Sequence, residues 1–380
     1  MNLPNDAESP LQGGGDVQGE GRLSRRPGDP HKTITMAQIA KAAGVSQGAI
    51  SSLLNDRDYG IRVSEKTRER VFKVCREMGY IPNDLRAVVR MYPELGEFCL
   101  LLSSRCIAGL ADPFLSRIAA AAMAATPIDS RSVTLSAYDE ELDYLAEPEH
   151  LPVPVRSGVA SKFVCWGPPN LSLVQTLLRR GYPVVCLGYD LALPGVVSIV
   201  PDYQRASQLA LEHLLGLGHQ HVAIISGPFG STDPQLIELN HGVQTAFVEA
   251  NAPLAAQNII YGDLTHEAGV TAYSALQEHT PAPTAVFCMS DAAATGVITE
   301  ARRRGHDVPA RLSIVGCGDD LFSQFTCPAL TTVHIPAEEM AARGIAEIDR
   351  LVRVEAPSAA KREVLPVRLV ERASCAVPTG

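Results

Sequence analysis

The sequence is poor in several features that mark common classes of protein. Aromatic residues make up 5% of its 380 positions, and Trp166 is the single tryptophan. No apolar run approaches the roughly 20 residues that cross a bilayer, and the N-terminus carries no hydrophobic signal core. We therefore expect a protein that neither enters a membrane nor is exported.

Cysteine usage leads to the same expectation. The nine cysteines include no CxxC pair and no Cys/His cluster with the spacing of zinc ligands. Five of them lie in apolar, strand-like runs, where buried reduced thiols are expected: Cys99, Cys165, Cys186, Cys288 and Cys317. Reduced cysteines favour a cytoplasmic location. The sequence predicts no bound metal.

Motifs for enzyme chemistry are likewise missing. There is no P-loop, no dinucleotide-binding glycine fingerprint after a strand, and no nucleophile elbow between a strand and a helix. The glycines at 13–15 lie in a polar segment with no strand before them. We therefore predict neither an enzyme nor a cofactor.

Charge is unevenly distributed along the chain. The whole sequence has a formal net charge of −9, yet residues 32–90 hold 11 Lys and Arg against 6 Asp and Glu. Residues 1–31 are rich in glycine, proline and charged side chains and are predicted to be a disordered tail. Positive charge thus concentrates in one small module, as expected for a part that meets phosphates.

Residues 35–55, TMAQIAKAAGVSQGAISSLLN, have the pattern of two short helices joined by a tight turn. Thr35 is placed to cap the first helix, and Gly44 suits the left-handed turn that ends it. Ser46 then caps a second helix whose apolar residues pack back on the first. The pattern is typical of a helix–turn–helix, whose second helix enters the DNA major groove. An ordinary helical hairpin is the alternative.

A third amphipathic helix follows, with Ser64 as its cap and Gly79 at its end. After the sequence GYIPN at 79–83, one last short helix is predicted from Asp84 to Arg90. In order, the pattern AxxAGVSxxxIS…N…VSxxTRxRV…GYIPN resembles the DNA-binding headpiece of the lactose-repressor/galactose-repressor (LacI–GalR) family.

The resemblance implies which residues contact DNA. Gln47, Gly48 and Ser52 occupy positions that face base edges. Positions that contact phosphates in the family are Ser46, Ala49, Ser51, Asn55, Ser64, Thr67, Tyr80 and Asn83, and Thr35, Arg62 and Arg90 complete the predicted set. Gly48 and Ala49 cannot read bases through side-chain hydrogen bonds, so readout should rest on Gln47 and Ser52. An exposed helix surface without this role is the alternative for Gln47 and Ser51.

The predicted hinge departs from the family. There an Ala and a Leu near the end of the hinge helix enter the minor groove, and the Leu wedges between base steps. Arg86 and Val89 hold those positions here. Val is a smaller wedge, whereas Arg86 can place its guanidinium in a narrow A·T minor groove.

From Phe98 onward, short β-branched runs alternate with amphipathic helices. Continuous apolar strands separated by helices indicate parallel sheets that are covered on both faces. Roughly ten such strands exceed one compact lobe. The predicted fold is therefore α/β, with a helical headpiece before two doubly wound lobes and a cleft at the carboxyl ends of the strands.

This body resembles the same family. The matching segments are DPF at 112–114, Asp202 with EHLLGLGH at 212–219, PTAVF at 283–287 and SDAAA at 290–294. They imply a periplasmic-binding-protein-like domain, usually homodimeric, that couples a bound small molecule to operator affinity. The predicted domains are a headpiece at 32–92, a body at 97–380, an N-lobe at 97–200 and 327–355, and a C-lobe at 201–326 and 362–372.

The effector cleft also departs from the family pattern. An Arg that commonly clamps a ligand is Leu239 here, and a ligand-binding Asp is Gly318. The remaining candidates for effector binding are Asp112, Phe114, Tyr138, Trp166, Tyr189, Asp202, Ser290, Asp291 and Asp319. Capping or loop-tying roles are equally predicted for Asp202 and Asp291, and core packing is the alternative for Trp166.

Together these features predict a homodimeric, cytoplasmic transcription regulator, and in particular a repressor, that binds double-stranded operator DNA. Its control by a small carbohydrate-like effector is implied by the resemblance. A constitutive DNA-binding regulator with an empty cleft is one alternative, because Leu239 and Gly318 weaken the expected ligand contacts. A solute-binding protein would share the two lobes, but it would lack the basic headpiece.

Overall fold

The computed structural model describes residues 34–55, 63–80, 88–89, 91–104, 113–126, 132–354 and 359–378. They form a helical headpiece, an N-lobe and a C-lobe. The predicted tail at 1–31 and loop residues 56–62 lie outside the described residues. Within the described ranges, no helix is long and apolar enough to cross a membrane.

Three helices build the headpiece: α1 Met36–Ala43, α2 Gln47–Asn55 and α3 Glu65–Met78. The start and end of α1 follow the sequence prediction. The Thr35 hydroxyl accepts from the Gln38 amide while the Gln38 side chain accepts from the Thr35 amide, which is a complete capping box. Gly44 ends the helix at φ +63°, a left-handed conformation that glycine adopts without strain. Ile39, Ile50 and Leu54 are among the buried residues of the headpiece core.

The segment between headpiece and body packs against both. The helix predicted over 84–90 lies mostly outside the described residues, although residues 88–89 are helical and the Tyr92 amide donates to the Val88 carbonyl at 2.8 Å. A 3₁₀ turn at Pro93–Leu95 follows. Its Pro93 carbonyl accepts a hydrogen bond of 2.5 Å from the Ser161 hydroxyl of the N-lobe.

The N-lobe is a six-stranded, wholly parallel sheet. Its strands are β1 Glu97–Ser103, β2 Val133–Tyr138, β3 Ala160–Trp166, β4 Val184–Leu187, β5 Val196–Pro201 and β11 Lys361–Leu365, in the order β11-β5-β4-β3-β1-β2. Its helices are α4 Pro113–Ala125, α5 Val153–Ser157, α6 Leu171–Arg179 and α11 Ala337–Leu351. Strands β3, β4 and β5 are buried along their whole length, as expected for a sheet covered on both faces.

The C-lobe repeats this plan. Its strands are β6 Val222–Ser226, β7 Ile259–Tyr261, β8 Ala285–Cys288, β9 Ser313–Gly318, β10 Thr331–His334 and β12 Arg368–Val370, in the order β12-β10-β9-β8-β6-β7. Its helices are α7 Tyr203–Gly216, α8 Pro234–Glu249, α9 His266–Leu276 and α10 Asp291–Arg303. Only the short strand β12 runs antiparallel to its neighbour, β10. Gly242 lets α8 approach α7 closely, because a Cβ there would lie 2.1 Å from the Gln204 carbonyl.

The chain passes between the lobes three times, and two of the predicted boundaries are wrong. The crossings fall between β5 and α7, between β10 and α11, and between β11 and β12. Strand β10 lies in the C-lobe, although 327–355 was predicted for the N-lobe. Strand β11 lies in the N-lobe, although 362–372 was predicted for the C-lobe. The apolar run at 330–335 predicts strand β10 but not the sheet that it joins, and β11, with the sequence KREVL, is not an apolar run at all.

The predicted thiols are buried as expected. The structure has five buried free thiols at these positions: Cys99, Cys165, Cys186, Cys288 and Cys317. Burial raises the pKa of the Cys288 and Cys317 thiols, so both stay protonated and behave as small apolar side chains.

Candidate DNA-binding surface and interlobe cleft

The N-terminal end of α2 is the exposed part of the predicted recognition helix. The Ser46 hydroxyl accepts from the Ala49 amide at 3.1 Å and so caps this helix. Gln47 and Gly48 are exposed on its first turn, and Ser51 and Ser52 are half-buried one turn later. Side chains at this end of a recognition helix are the ones that reach base edges in helix–turn–helix proteins.

Ala49 does not belong to the exposed surface. Its side chain is buried and its amide is bonded to Ser46. The prediction that Ala49 contacts a phosphate is therefore not supported, because neither its methyl group nor its N–H faces outward. Ala49 comes directly before Ile50, which is buried in the headpiece core.

Ser64 and Thr67 lie together at the start of α3. Their hydroxyl oxygens are 2.9 Å apart, and the Ser64 hydroxyl also accepts from the Thr67 amide at 3.3 Å. Ser64 is exposed. Helix N-termini carry partial positive charge and free amides, which suits them to phosphates. Thr35 is likewise an exposed cap, at the start of α1.

Of the other residues predicted to contact DNA, the structure describes Tyr80 and Asn55 but not four arginine and asparagine residues named below. Tyr80 is half-buried and packs on the headpiece core, where burial raises its hydroxyl pKa. Asn55 is the last residue of α2. Four further predictions fall on residues outside the described ranges: Arg62, Asn83, Arg86 and Arg90.

Val89 is buried, and its role as a minor-groove wedge stays a prediction. A side chain added at Gly96 would meet Val89 Cγ1 at 3.0 Å, so Val89 packs close to Gly96, in the segment between headpiece and body. Met91 is fully buried in the headpiece core, and its carbonyl accepts from Arg76 at 3.0 Å. Burial of these apolar side chains is favourable without DNA, and the sequence pattern of the hinge did not show this alternative packing.

In the body, the predicted cleft contains a cluster of aromatic side chains, here called the aromatic cluster: Phe114, Trp166 and Tyr189. The ring centroids of Phe114 and Trp166 are 5.3 Å apart, and those of Trp166 and Tyr189 are 6.4 Å apart. Phe114 packs against the core of each lobe. The structure therefore brings these three predicted residues together at the boundary between the lobes.

Tyr189 also bridges the lobes directly. Its hydroxyl donates to the Asp233 carboxylate at 3.2 Å, and Asp233 caps helix α8 of the C-lobe. Close by, Tyr203 at the start of α7 is buried, and no described residue makes a hydrogen bond with its hydroxyl. Burial raises the pKa of Tyr203 far above its usual value, so its hydroxyl stays protonated. A side chain at Gly188 would meet both the Trp166 ring and the Tyr203 hydroxyl, which places Tyr203 beside the aromatic cluster.

Sequence reasoning missed Tyr203 and Asp233. Each stands next to a recognisable signal, since Tyr203 follows Asp202 at a lobe crossing and Asp233 precedes the Pro at the start of α8. These signals predict helix starts, but they do not show that the helix starts meet the other lobe.

Four of the residues predicted to bind the effector make hydrogen bonds within the protein that hold loops or helix ends: Tyr138, Asp202, Ser290 and Asp291. The Tyr138 hydroxyl is buried and donates to the Pro168 carbonyl at 2.8 Å, which fixes the loop after β3. Asp202 caps α7 through the Arg205 amide at 2.9 Å. Ser290 caps α10 and donates to the Leu264 carbonyl at 2.7 Å. A further candidate for effector binding, Asp112, lies outside the described residues.

Asp291 is the fourth of these structural residues and is fully buried. Its carboxylate accepts from the Asp320 amide at 2.8 Å, from the Ser323 hydroxyl at 2.6 Å and from the Thr332 hydroxyl at 2.5 Å. Burial raises its pKa, against the opposing effect of these hydrogen bonds. The effector role is therefore wrong for Asp291, whose oxygens tie three segments of the C-lobe together.

Asp319 is held by basic side chains of its own lobe. It has a left-handed φ of +56° and bonds to Arg372 at 2.5 Å and to His334 at 2.9 Å. Burial works to raise its pKa, but the bonds from Arg372 and His334 outweigh burial and lower it. Leu239, at the position of the family's ligand-clamping Arg, is fully buried in the C-lobe core.

Arg117 on α4 is an interlobe residue that the sequence did not reveal. Its guanidinium donates to the Gly318 carbonyl at 3.1 Å and to the Ile335 carbonyl at 3.2 Å. It also pairs with Glu338 at 2.7 Å. Since Gly318 ends a C-lobe strand and α4 belongs to the N-lobe, Arg117 links the two lobes at their second crossing.

A helix–turn–helix headpiece on a body of two similar lobes, crossed three times by the chain, defines a DNA-binding regulator with a periplasmic-binding-protein-like domain. Two family models match. The model for bacterial regulatory proteins of the lacI family covers residues 35–83, and that for the periplasmic binding protein-like domain covers residues 211–375.

Known proteins agree with these matches. The HTH-type transcriptional regulator DegA of Bacillus subtilis (strain 168) is 29% identical over 343 residues, covering 90% of this chain and 97% of DegA. The HTH-type transcriptional repressor PurR of Proteus mirabilis (strain HI4320) is 28% identical over 348 residues, with the same coverages. The lac repressor dimer, solved with operator and the anti-inducer ONPF, shares the fold at a TM-score of 0.62 and 23% identity, over 91% of this chain and 100% of that one.

The chain belongs to the LacI family of bacterial regulatory proteins. It is a DNA-binding transcriptional regulator, and the relatives it matches are regulators rather than enzymes.

Proposed function

We propose that this regulator is a cytoplasmic, homodimeric repressor whose affinity for operator DNA is controlled by a small, neutral, hydroxylated ligand bound between the lobes. The observation that carries the proposal is the bond from Tyr189 to Asp233 at 3.2 Å, which joins the two lobes beside the aromatic cluster. A ligand that enters here must displace or extend this bond. Binding would therefore change how the lobes are held together.

The chemistry of the cleft favours a carbohydrate-like ligand. Rings of the aromatic cluster provide apolar faces for stacking, and the Asp233 carboxylate is an acceptor that suits hydroxyl donors. The buried Tyr203 hydroxyl adds a donor that no described residue uses. The carboxylates of Asp291 and Asp319 are hydrogen-bonded to other residues of the C-lobe. We therefore expect stacking and a few hydrogen bonds to hold the ligand, in place of the arginine clamp that is common in the family.

A panel of neutral monosaccharides and disaccharides, titrated into the protein by calorimetry, tests this proposal. We expect at least one to bind the wild type and to bind Tyr203→Phe about tenfold more weakly, the effect of losing one good hydrogen bond. Tyr203→Phe removes a hydroxyl that has no partner among the described residues, so the variant should fold normally. Binding that is equally tight in both proteins would contradict this site.

A constitutive regulator is the second candidate, and one observation favours it. The position of the family's clamping Arg is a buried Leu239, and the Asp319 carboxylate is already bonded to Arg372 and His334. If no sugar in the panel binds while operator affinity is high, this candidate replaces the ligand-gated one.

For DNA recognition, we propose that Gln47 and Ser52 read base edges while Ser46, Ser51, Ser64, Thr67 and Thr35 contact phosphates. The exposed position of Gln47 on the first turn of α2 supports this division. Gln47→Ala should cost about 1–3 kcal/mol at one base position of each half-site and relax preference there. Ser64→Ala is the matched control, and it should weaken binding to all sequences alike. A selection assay in which Gln47→Ala leaves the base profile unchanged would exclude Gln47 from readout.

Exposed apolar side chains on both lobes support the homodimer. Met123 of α4 and Leu135 of the edge strand β2 are exposed on the N-lobe, and Leu321 and Phe325 are exposed on the C-lobe. Large apolar side chains exposed in this way mark protein interfaces. In sedimentation experiments, Phe325→Glu should shift the dimer towards monomer, whereas Val248→Glu, at an equally exposed position on α8, should not. Equal dimerisation of wild type and Phe325→Glu would place the interface elsewhere.

A further inference from the structure

A cavity formed by C-lobe residues alone lies beside helix α8. It has a volume of about 170 Å³ and opens where β6 and β7 end. This is far above the roughly 10–15 Å³ that one water needs and below the ~300 Å³ of pockets for drug-sized ligands. A single small ring system fits this size.

The mouth of the cavity carries an exposed aromatic pair. Phe229 and Tyr261 have ring centroids 5.0 Å apart and planes at 77° to each other. Phe229 is 80% exposed, although it is a large apolar side chain on a short loop. Keeping such a ring in water is unfavourable, so its position next to a cavity points to a partner that covers it.

The floor of the cavity is aliphatic, with two amide side chains, Asn240 and Gln244, on its helical wall. Asn240 is fixed in place, because its amide nitrogen donates to the Leu236 carbonyl at 2.8 Å and its oxygen accepts from Ser226 at 3.2 Å. One N–H and one lone pair of this side chain remain for a ligand. Among the described residues that line the cavity, none is charged.

We propose that this cavity binds an uncharged planar nitrogen heterocycle that carries an N–H group next to a carbonyl. Flat rings stack on the Phe229 and Tyr261 faces, and amide side chains pair with adjacent donor and acceptor atoms on a ring edge. An ion would find no charge to balance it.

None of the residues that line this cavity belongs to the aromatic cluster, although one loop adjoins both sites. Residues Pro228 to Ser231 form part of the cavity, and two residues later Asp233 bonds to Tyr189 across the lobes. The inference therefore goes beyond the ligand-gated function and does not depend on it.

Uracil and 1,3-dimethyluracil, followed by saturation-transfer NMR with the full chain, test the proposal. Both rings have similar faces, but only uracil has N–H groups. We expect uracil to bind and 1,3-dimethyluracil to bind at least tenfold more weakly. Equal binding of the two, or no binding of uracil at millimolar concentration, would overturn the proposal.

Variants then locate the bound ring. Phe229→Ala removes an exposed side chain and should weaken uracil binding at least tenfold without affecting the fold. Val153→Ala is the matched control, since Val153 is an exposed apolar side chain on α5 of the N-lobe, at 62% exposure. It should bind uracil as the wild type does. Uracil binding that survives Phe229→Ala but falls in Tyr203→Phe would belong to the interlobe cleft, and the second site would be excluded.

Discussion

The two lobes share one plan, yet they contribute different chemistry to the cleft. The N-lobe presents the aromatic rings Phe114, Trp166 and Tyr189. The C-lobe presents polar side chains, and two prominent acids among them, Asp291 and Asp319, are bonded within that lobe. The difference shows that acids at strand ends are not by themselves ligand contacts. In this molecule they hold loops, while stacking surfaces remain for a ligand.

The largest expected effect tests the structural side of this comparison. Asp291→Ala would leave the Ser323 and Thr332 hydroxyls and the Asp320 amide without their buried acceptor. We expect the free energy of unfolding to fall by about 3–5 kcal/mol, as when a buried bonded charge is removed. Chemical denaturation measures this, with Asp307→Ala on the same lobe as the exposed control. A loss below about 1 kcal/mol would mean that Asp291 is not the C-lobe tie described above.

A smaller, pH-dependent effect should come from Asp319. Its pKa is lowered in the folded protein, so its ionised form stabilises the fold above its ordinary pKa of about 4. This stability is lost as pH falls through the lowered folded-state pKa. The gap in unfolding free energy between wild type and Asp319→Asn should therefore be present at neutral pH and narrow below about pH 4. A gap that stays constant between neutral and acidic pH would show that Arg372 and His334 do not stabilise the carboxylate.

Much of the architecture was predictable from local signals. Thr35, Gly44 and Ser64 mark helix ends in the sequence and occupy those ends in the structure, because caps depend on nearby residues only. The ten strands β1 to β10 likewise followed from continuous apolar runs. Strands β11 and β12 were not predicted, because KREVL and RLV are short and partly charged. The sheets that β10 and β11 join were not predicted either, since pairing depends on contacts far apart in sequence.

The cleft was predictable in part. Phe114, Trp166 and Tyr189 were predicted as cleft residues. Trp166 ends β3 and Tyr189 follows the end of β4, and the carboxyl ends of these neighbouring strands meet at one edge. Tyr203, Asp233 and Arg117 were missed, because each comes from a helix or helix start and reaches the site only through the packing of one lobe on the other. The burial of Val89 was not predicted for a similar reason, since the hinge motif does not show how the segment around Val89 and Gly96 packs.

Trp166 offers the most direct test that a ligand between the lobes controls DNA binding. It is the only tryptophan, and it lies in the aromatic cluster, so its fluorescence reports on the cleft alone. Operator DNA obtained by selection would be bound to the protein, and a sugar that binds in calorimetry would be titrated in. Trp166 fluorescence and DNA anisotropy would be followed together. If a ligand between the lobes controls DNA binding, the fluorescence and the anisotropy will change over the same range of sugar concentration. A fluorescence change with constant operator affinity, or release of DNA without any change at Trp166, would contradict it.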